Sequence, residues 1–385
     1  MFESLSHLAL QHYWWAIIAL LGASLVFMFF VQGGQTLIFS LGRDEAERTL
    51  LLNSLGRKWE ITFTTLVTFG GAFFASFPLF YSTSFGGAYW AWMILLFCFI
   101  IQAVSYEYRS KPANILGHRT FEIFLIINGA LGTILVGVVV STFFTGSEFS
   151  VNLKNITVVN DPVISRWQNS YRGLEALLNV QNLALGFTVF FLARILGILY
   201  FMNNISHELI QARARKSLLR NAVPFLVVFL VFAVMLLTKQ GFAVDPQTGF
   251  VSMEKFKYLK NLIGMPLVAI IFLAGVVLVL SGIIRSLHIP QYSKGIWFTG
   301  PGTVLTVFSL FLLAGYNNTA FYPSTYDLQS SLTIVNSSSS KYTLVVMSYV
   351  SLFVPFLILY LSYAWRSLNR EKLSHEEVKT SSHVY

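Results

Sequence analysis

The chain alternates between long apolar runs and shorter polar connections, and this alternation is the strongest pattern in the sequence. Apolar runs that approach or exceed about 18 residues are long enough to cross the hydrocarbon core of a membrane as a helix. These runs lack the polar stripe that a helix on a soluble protein carries, so each predicts a membrane span. The nine predicted spans cover residues of about 13–39, 61–82, 87–105, 119–145, 180–203, 221–238, 261–284, 295–315 and 342–365.

Composition supports the same fold class. Only 11% of the 385 residues are charged and 55% are hydrophobic, whereas a soluble domain carries about 25% charged residues. A water-facing surface cannot be built from so few charges, which excludes a large soluble protein. We predict an all-α integral membrane protein with a single membrane domain over residues 1–385, in which residues 1–12 are an N-terminus and residues 366–385 a polar tail.

The distribution of Lys and Arg predicts the orientation of the chain. The odd-numbered connections and the tail carry 17 of these residues, whereas the N-terminus and the even-numbered connections carry 8. Cytoplasmic loops are enriched in Lys and Arg, so we predict an external N-terminus and a cytoplasmic C-terminus. The net charge of +9 is spread over these connections rather than gathered in a basic groove, which argues against a nucleic-acid partner.

Histidine placement argues against a haem or metal site in this chain. A haem inside a membrane needs axial ligands, usually His or Met, at bilayer depth. Methionines inside predicted spans are usually packing residues, and the single cysteine cannot form a disulfide or a cysteine metal site. The seven histidines all fall in predicted loops, tails or span ends: His7, His12, His118, His207, His288, His375 and His383.

Three ionisable side chains lie within or at the ends of predicted spans, where a charge costs about 2.5–3.5 kcal/mol. Glu60 opens the second span after Trp59. It is either a first-turn acid favoured by the helix dipole or a proton-accepting carboxylate at the mouth of an internal path. Arg194 lies midway along the fifth span, which predicts a carboxylate partner or a polar inter-subunit contact. Glu122 lies one turn inside the fourth span, where snorkelling explains it.

Polar residues also close the first span. Gln32 and Gln35 flank two glycines in the segment QGGQ, and such a segment is tolerated at this depth only where it faces protein or water. Glu107 and Arg109 are expected to anchor the cytoplasmic end of the third span. Several small residues allow close helix approach, within the chain or with a second chain: Gly22, Ala23, Gly70, Gly71, Ala72, Gly129, Gly132 and Gly197.

Short motifs in a fixed order resemble subunit II of cytochrome bd-type quinol oxidases over most of the chain. No single motif is diagnostic, and the resemblance depends on their order and spacing along the predicted spans. The motifs are Leu41-Gly42-Arg43 before Glu47-Arg48, Leu52-Asn53-Ser54, Trp59-Glu60, Gly70-Gly71-Ala72, Phe77-Pro78, Tyr108-Arg109-Ser110-Lys111, His207-Glu208-Leu209, Tyr322-Pro323-Ser324 and Ser339-Ser340-Lys341-Tyr342-Thr343-Leu344.

The resemblance implies two four-helix bundles plus one peripheral helix, without a cofactor in this chain. It implies pairing with a subunit I that carries haems b and d and oxidises quinol while it reduces O2 to water. It also implies a location in a bacterial inner membrane and leaves room for a small accessory subunit and for membrane lipid. Glu60 matches the family's acidic residue that lines a cytoplasmic proton path. Trp59, Glu107, Arg109 and Arg194 are then structural or interface candidates.

One motif departs from the family pattern. Many members carry two aspartates near the end of the first span, where this chain has Gln32 and Gln35. Glutamine can hydrogen-bond a water chain but cannot take up a proton. A proton path here would therefore run along water held by the two glutamines, with Glu60 as the only local carboxylate, or it would run through subunit I instead.

Two other functions remain open from the sequence. A secondary transporter could bind a small anion at Arg194, although no inverted repeat with paired broken helices is evident. A purely structural subunit of the same oxidase would differ only in the roles of Glu60, Gln32 and Gln35.

Overall fold

The computed structural model describes residues 1–56 and 58–356, together with residues 359, 363, 366 and 373. Within these residues the chain is almost entirely helical. Its helices are α1 His7–Met28, α2 Phe30–Gln35, α3 Ile38–Leu41, α4 Glu45–Gly56, α5 Trp59–Ser76, α6 Pro78–Phe80, α7 Tyr89–Tyr108, α8 His118–Ile127, α9 Thr133–Thr145, α10 Val180–Asn204, α11 Glu208–Thr238, α12 Lys257–Gly264, α13 Pro266–His288, α14 Ile296–Gly315 and α15 Lys341–Ser351.

Irregular helical segments and two short hairpins complete the described chain. Wider, π-helical turns at Tyr81–Phe85 and Asn128–Gly132 follow α6 and α8. Tight 3-10 turns occupy Phe2–Ser4, Leu153–Thr157, Leu174–Leu178 and Leu328–Ser330. The antiparallel hairpins pair β1 Phe149–Val151 with β2 Ser165–Trp167, and β3 Gln240–Val244 with β4 Val251–Lys255.

Seven helical stretches of the described chain are long and apolar enough to cross a membrane. They correspond to the first, third, fourth, fifth, sixth, seventh and eighth predicted spans and cover His7–Gln35, Tyr89–Tyr108, His118–Thr145, Val180–Asn204, Glu208–Thr238, Pro266–His288 and Ile296–Gly315. The ninth predicted span begins as the shorter apolar helix Lys341–Phe356. Its remainder, like most of the tail at 366–385, lies outside the described residues.

The second predicted span is broken. The described helical residues between Glu45 and Ser76 and the stretch Pro78–Phe85 meet at an angle of 116°. Proline lacks the N–H that a continuing helix needs and disfavours helical geometry at the residue before it. Phe77 accordingly leaves the helical region, with φ −133° and ψ 65°.

Two helices begin at residues that differ from the starts of the predicted spans, for identifiable reasons. The sixth span was predicted from residue 221, but α11 begins at Glu208, where the His207 side chain accepts a hydrogen bond from the Ile210 amide. The hydropathy pattern locates the bilayer core, whereas the helix continues through the basic segment before it. The seventh span was predicted from residue 261, but α12 ends at Gly264 and α13 starts at Pro266, which is suited to a first helical turn.

The segment QGGQ at the end of the first span is held between two other helical segments. A Cβ added at Gly33 would lie 1.9 Å from the Ala193 carbonyl oxygen, and one at Gly197 would lie 2.5 Å from the Gly34 amide nitrogen. A Cβ at Gly129 would lie 2.3 Å from the Gln32 carbonyl oxygen. Close backbone packing of α2 against α10 on one side and against Asn128–Gly132 on the other therefore requires these glycines. The close approach at these positions is within the chain.

The long connections on the side opposite the basic connections pack together. Isolated bridges join Ser147 to Ser324 and Ala243 to Thr319. In the connection at 316–341, Phe321 is fully buried. Its ring packs 4.4 Å from that of Trp15, which donates a hydrogen bond from Nε1 to the Phe311 carbonyl oxygen. Aromatic packing thus draws much of this connection into the core.

We predict that Gly33→Ala disrupts the fold, because its methyl group would collide with the α10 backbone rather than with a movable side chain. Overpacking of this kind costs about 1–3 kcal/mol or more. The yield of folded protein in detergent and its thermal inactivation temperature should both fall. Gly71→Ala is the matched control, since a Cβ there meets nothing within 4 Å. Equal behaviour of the two variants would contradict the packing described here.

Candidate functional site: a buried amide cluster beside an ion cluster

Four amide side chains from three predicted spans meet in the interior. Gln32 and Gln35 lie on α2, Gln102 lies on α7, and Asn128 opens the π-helical turn after α8. All four have 0% of their surface exposed. We call this group the amide cluster. Wider helical turns are often found at functional positions, and here the turn directs Asn128 toward the glutamines.

The amide cluster converges on one oxygen atom. Gln102 Oε1 accepts hydrogen bonds from Gln32 Nε2 at 2.8 Å, from Gln35 Nε2 at 2.9 Å and from Asn128 Nδ2 at 2.5 Å. Asn128 Nδ2 also donates to Gln35 Oε1 at 2.9 Å. Gln35 Nε2 reaches the Tyr106 hydroxyl at 3.2 Å. These contacts tie the first, third and fourth predicted spans together without a formal charge.

The same cluster contains polar atoms that the described chain does not satisfy. Gln32 Oε1, Asn128 Oδ1 and Gln102 Nε2 are buried and have no hydrogen-bond partner among the described residues. An unsatisfied buried polar group costs about 1–3 kcal/mol, and ordered water usually satisfies such groups. Two acceptors and one donor within one cluster form a set of groups that is suited to hold water.

An ion cluster lies beside the amide cluster, toward the basic side. Glu122 Oε1 accepts hydrogen bonds from Arg109 at 2.8 Å and 3.2 Å, while Glu122 Oε2 lies 3.1 Å from Arg48 Nε. Arg109 also donates to Thr49 Oγ1 at 3.1 Å. Glu122 is fully buried and the Arg109 side chain is 2% exposed, whereas that of Arg48 is 22% exposed. Snorkelling therefore does not explain Glu122, because its carboxylate is buried and paired with two cations.

Spacing along two helices places the two clusters next to each other. Arg109 directly follows α7 and keeps helical geometry, three residues after Tyr106, so the two side chains lie on the same face. Glu122 and Asn128 are separated by six residues, which corresponds to about 9 Å along a helix axis. A buried carboxylate thus lies within two helical turns of Asn128, and Glu60 is not the only carboxylate in this region.

The structure separates Trp59 from its neighbour Glu60. The Trp59 ring stacks on the Tyr106 ring with centroids 5.8 Å apart and planes 7° apart, so Trp59 packs against the amide cluster. Glu60 lies on the exposed side of α5. The two residues predicted as a pair therefore face different surroundings in this chain.

Arg194 finds its partners within the chain. Its Nε donates to Asn221 Oδ1 at 2.6 Å and its Nη1 to Thr36 Oγ1 at 2.9 Å. Its guanidinium also lies over the Phe190 ring, 5.4 Å from the centroid. Among the described residues an amide and a hydroxyl, and no carboxylate, bind its guanidinium, so the first predicted alternative is wrong. The other alternative, a polar contact between subunits, stays a prediction.

Glu107 and Arg109 were predicted together as a helix-end anchor, but only Arg109 belongs to the ion cluster. Glu107 is exposed and pairs with Lys111 at 3.0 Å, one helical turn further on. An exposed pair of this kind contributes little to stability.

Sequence reasoning missed Gln102, Asn128 and Tyr106 as site residues. Gln102 and Asn128 carry the signal that singled out Gln32 and Gln35, a polar amide inside an apolar span. That signal could have found them individually. It could not have shown that they meet, because their pairing depends on how the spans pack.

The described histidines lie at or near helix ends and contact other residues of the chain. His118 pairs with Glu45 at 2.6 Å, His207 caps α11, and His288 contacts the Ile284 carbonyl oxygen at 3.1 Å. His7 contacts the Ser339 carbonyl oxygen, and the His12 ring stacks on that of Tyr316. No group of three or more His, Cys, Asp or Glu side chains in the described part of the chain could hold a metal ion. His375 and His383 lie outside the described residues.

The chain is similar to one family over nearly its whole length. The sequence model of the family "Cytochrome bd terminal oxidase subunit II" matches residues 10–368. Cytochrome bd-I ubiquinol oxidase subunit 2 of Escherichia coli (strain K12) is 26% identical, over 97% of this chain and 98% of its own length. Cytochrome bd ubiquinol oxidase subunit 2 of Bacillus subtilis (strain 168) is 27% identical, over 97% of this chain and 99% of its own.

A solved structure shares the fold. A chain of the bd oxidase from Geobacillus thermodenitrificans matches with a TM-score of 0.66 and 12% identity, covering 94% of this chain and 100% of that one. At this identity the likeness shows the fold alone, whereas the family model spans nearly every predicted membrane helix. The chain therefore belongs to the cytochrome bd terminal oxidase subunit II family.

Proposed function

We propose that this chain is the haem-free subunit of its quinol oxidase complex and that it supplies structure and a cytoplasmic proton path. As a family member it is a subunit of a cytochrome bd-type quinol oxidase and a multi-pass membrane protein. In the proposed complex, a partner subunit I carries haems b and d, takes electrons from quinol and reduces O2 to water. The placement of the described histidines supports a haem-free role.

We also propose that the chain has the arrangement in the membrane that the sequence predicts. The chain would form a single domain of nine spans in two four-helix bundles plus a peripheral helix, with its N-terminus outside and its C-terminus in the cytoplasm. The excess of Lys and Arg in the odd-numbered connections supports this orientation. A small accessory subunit and membrane lipid are further proposed partners.

The single observation that carries the proton path is the buried Glu122 beside an amide cluster with unsatisfied polar atoms. A proton path needs groups that accept and release protons, or water that passes them on. Amides cannot titrate, so Gln32, Gln35 and Gln102 would act by ordering water. Glu122 would exchange protons with the basic side, where the partly exposed Arg48 borders the ion cluster.

Glu60 remains a second candidate for proton uptake. Its carboxylate lies at the start of α5, on the same side of the chain as the ion cluster. Because Glu60 is exposed in the isolated chain, its path would have to lie along the α5 surface. Trp59 and Tyr106 stand between that surface and the amide cluster.

The transporter hypothesis loses its main support. It required Arg194 to be available for an anionic substrate, but Arg194 is held by Asn221, Thr36 and the Phe190 ring. The two predictions that follow distinguish a proton-conducting role of this chain from a purely structural one.

We predict different outcomes for one and two substitutions in the ion cluster. Glu122→Gln should reduce assembly strongly, because removal of one partner from a buried ion pair costs about 3–5 kcal/mol. Glu122→Gln with Arg109→Gln removes the two buried charges of the ion cluster and leaves only that of Arg48, whose side chain is 22% exposed, so it should recover assembly of the complex. If Glu122 passes protons, the double variant should assemble but reduce O2 more slowly than the wild type. Oxygen consumption per assembled haem measures this difference.

The control for this prediction is Glu47→Gln with Arg213→Gln. Glu47 and Arg213 form another ion pair on the basic side, with Arg213 Nη1 2.8 Å from Glu47 Oε2. This control makes the same change in charge and should keep normal turnover once assembled. Normal turnover in the Glu122/Arg109 double variant would instead assign Glu122 a structural role only.

We predict that Glu60→Gln slows proton uptake and oxygen reduction without loss of assembly, because Glu60 is exposed and its removal leaves no buried charge. A positioned proton-transfer group contributes about 100-fold or more to a rate. If proton uptake at Glu60 limits turnover, the rate of O2 reduction should fall by as much as about 100-fold. Glu107→Gln, an exposed acid on the same side, is the control. Unchanged oxygen reduction and proton uptake in Glu60→Gln would remove Glu60 from the path.

A further inference from the structure

A cleft opens on the basic side of the chain, where α10 is connected to α11. It has a volume of about 510 Å³ and lies between that connection, the first two turns of α11 and the segment at 290–293. No residue of the amide cluster or the ion cluster lines it. The proton path proposed above therefore gives this cleft no role.

The connection that forms one wall of the cleft is held in an extended conformation. Gln211 Nε2 donates hydrogen bonds to the carbonyl oxygens of Met202 at 2.9 Å and Ile205 at 2.8 Å. Asn203 Nδ2 donates to the Ser293 carbonyl oxygen at 3.1 Å, which ties the connection to another wall. Ile205 has φ −109° and ψ 132°, which is the geometry of a strand. This wall is therefore a preformed strand edge.

Leu373, the last described residue of the tail, pairs with this edge. It forms a parallel bridge with Ile205, in which its amide donates to the Asn204 carbonyl oxygen at 2.9 Å and its carbonyl oxygen accepts from the Ser206 amide at 3.1 Å. Its side chain is 2% exposed and belongs to the apolar core that contains Ile205 and Ile210. Backbone pairing and apolar burial thus fix the tail at the rim of the cleft.

The direction of this pairing leads the following residues toward the cleft. Parallel strands run the same way, so the chain after Leu373 continues beside residues 206–208, all of which line the cleft. In a parallel ladder, residue 375 would next pair with the Ser206 carbonyl oxygen and the Glu208 amide. Neither atom has a hydrogen-bond partner among the described residues. The edge therefore offers one more pair of backbone hydrogen bonds, as in recognition by β-strand addition.

Charge favours the same segment of the tail, which carries two consecutive acids, Glu376 and Glu377. On the cleft wall, Arg215 donates from Nη1 to the Ile289 carbonyl oxygen at 3.0 Å, and no carboxylate of the described residues pairs with it. Glu208 lies on the same wall but is exposed, where water and salt screen its charge. Consecutive side chains of a strand point to opposite sides, so one of the two acids can face Arg215. A carboxylate matches the forked donors of an arginine.

We propose that residues 374–377 of this chain bind in the cleft as a short parallel strand beside residues 206–208, with a carboxylate of Glu376 or Glu377 on Arg215. The tail would then fasten the end of the last span to the connection between α10 and α11. A segment that is tethered at the rim reaches the cleft at a high effective concentration, which favours it over a separate peptide or a lipid headgroup. Only contacts within this chain are involved, so this binding does not depend on the proton path.

Cysteine labelling in the intact complex tests whether the tail fills the cleft. Ala212→Cys places a thiol on the cleft wall, at an exposed residue of α11. The rate of its reaction with a bulky maleimide scales with the fraction of time that the cleft is open. If the tail occupies the cleft for about nine-tenths of the time, a chain that ends at Leu373 should be labelled about tenfold faster than the full-length chain.

Lys216→Cys is the matched control for this labelling, since Lys216 is exposed on the same helix but does not line the cleft. Its thiol should be labelled at the same rate with and without the tail. The native Cys98 is 3% exposed and adds little background.

Charge exchange tests the contact with Arg215. Glu376→Lys with Glu377→Lys in the full-length chain should release the tail and raise the labelling rate of Ala212→Cys to that of the shortened chain. This variant also serves if the shortened chain fails to assemble. Addition of Arg215→Glu should restore slow labelling, whereas Lys216→Glu, which makes the same change in net charge, should not.

Three results would overturn the proposal. Equal labelling of Ala212→Cys with and without the tail would show that the cleft is open or holds another occupant, such as a lipid headgroup visible in a map of the complex. Slow labelling that persists in Glu376→Lys with Glu377→Lys would remove the acids from the contact. Equal restoration by Lys216→Glu and Arg215→Glu would show that net charge holds the tail. Labelling is measured in an assembled complex without turnover, so these results are separate from those for the proton path.

Discussion

Backbone contact between the first and fifth predicted spans is the constraint on which the interior depends. Gly33 and Gly34 lie against Ala193 and Gly197 with no room for a side chain, and Gly129 makes the same kind of contact with the Gln32 backbone. In a membrane, helices do not associate through the hydrophobic effect, so small residues and polar contacts decide which helices approach closely. Here the glycines fix α2 between two neighbours, and its two glutamines must therefore point at the third and fourth spans.

The polar interior is divided into a neutral part and a charged part. The amide cluster hydrogen-bonds across three spans without a formal charge, which avoids the large desolvation penalty of a buried ion. The charge is concentrated in the ion cluster, where Glu122 is shared by Arg109 and Arg48 near the basic side. Polar groups thus extend inward from a partly exposed cation through a buried, paired acid to neutral amides. This order limits the desolvation cost, because the deepest groups carry no charge.

On the opposite side, the connections contribute to the core instead of covering it. Phe321 and Tyr322 extend the aromatic packing around Trp15 and Phe143, and the hairpins are joined to the same connection by bridges.

The sequence alone determined the all-helical membrane class, the approximate position of most spans and the family, because hydrocarbon imposes a length and an apolarity that can be read residue by residue. It also identified Gln32, Gln35, Trp59 and Arg109 as residues to explain. Tertiary structure alone decided that Glu122 is buried and paired, that Arg194 binds an amide instead of a carboxylate, and that Glu60 faces outward. Hydropathy measures how deep a residue lies along its own helix, but the direction in which a side chain points and the partner it meets depend on which helices touch.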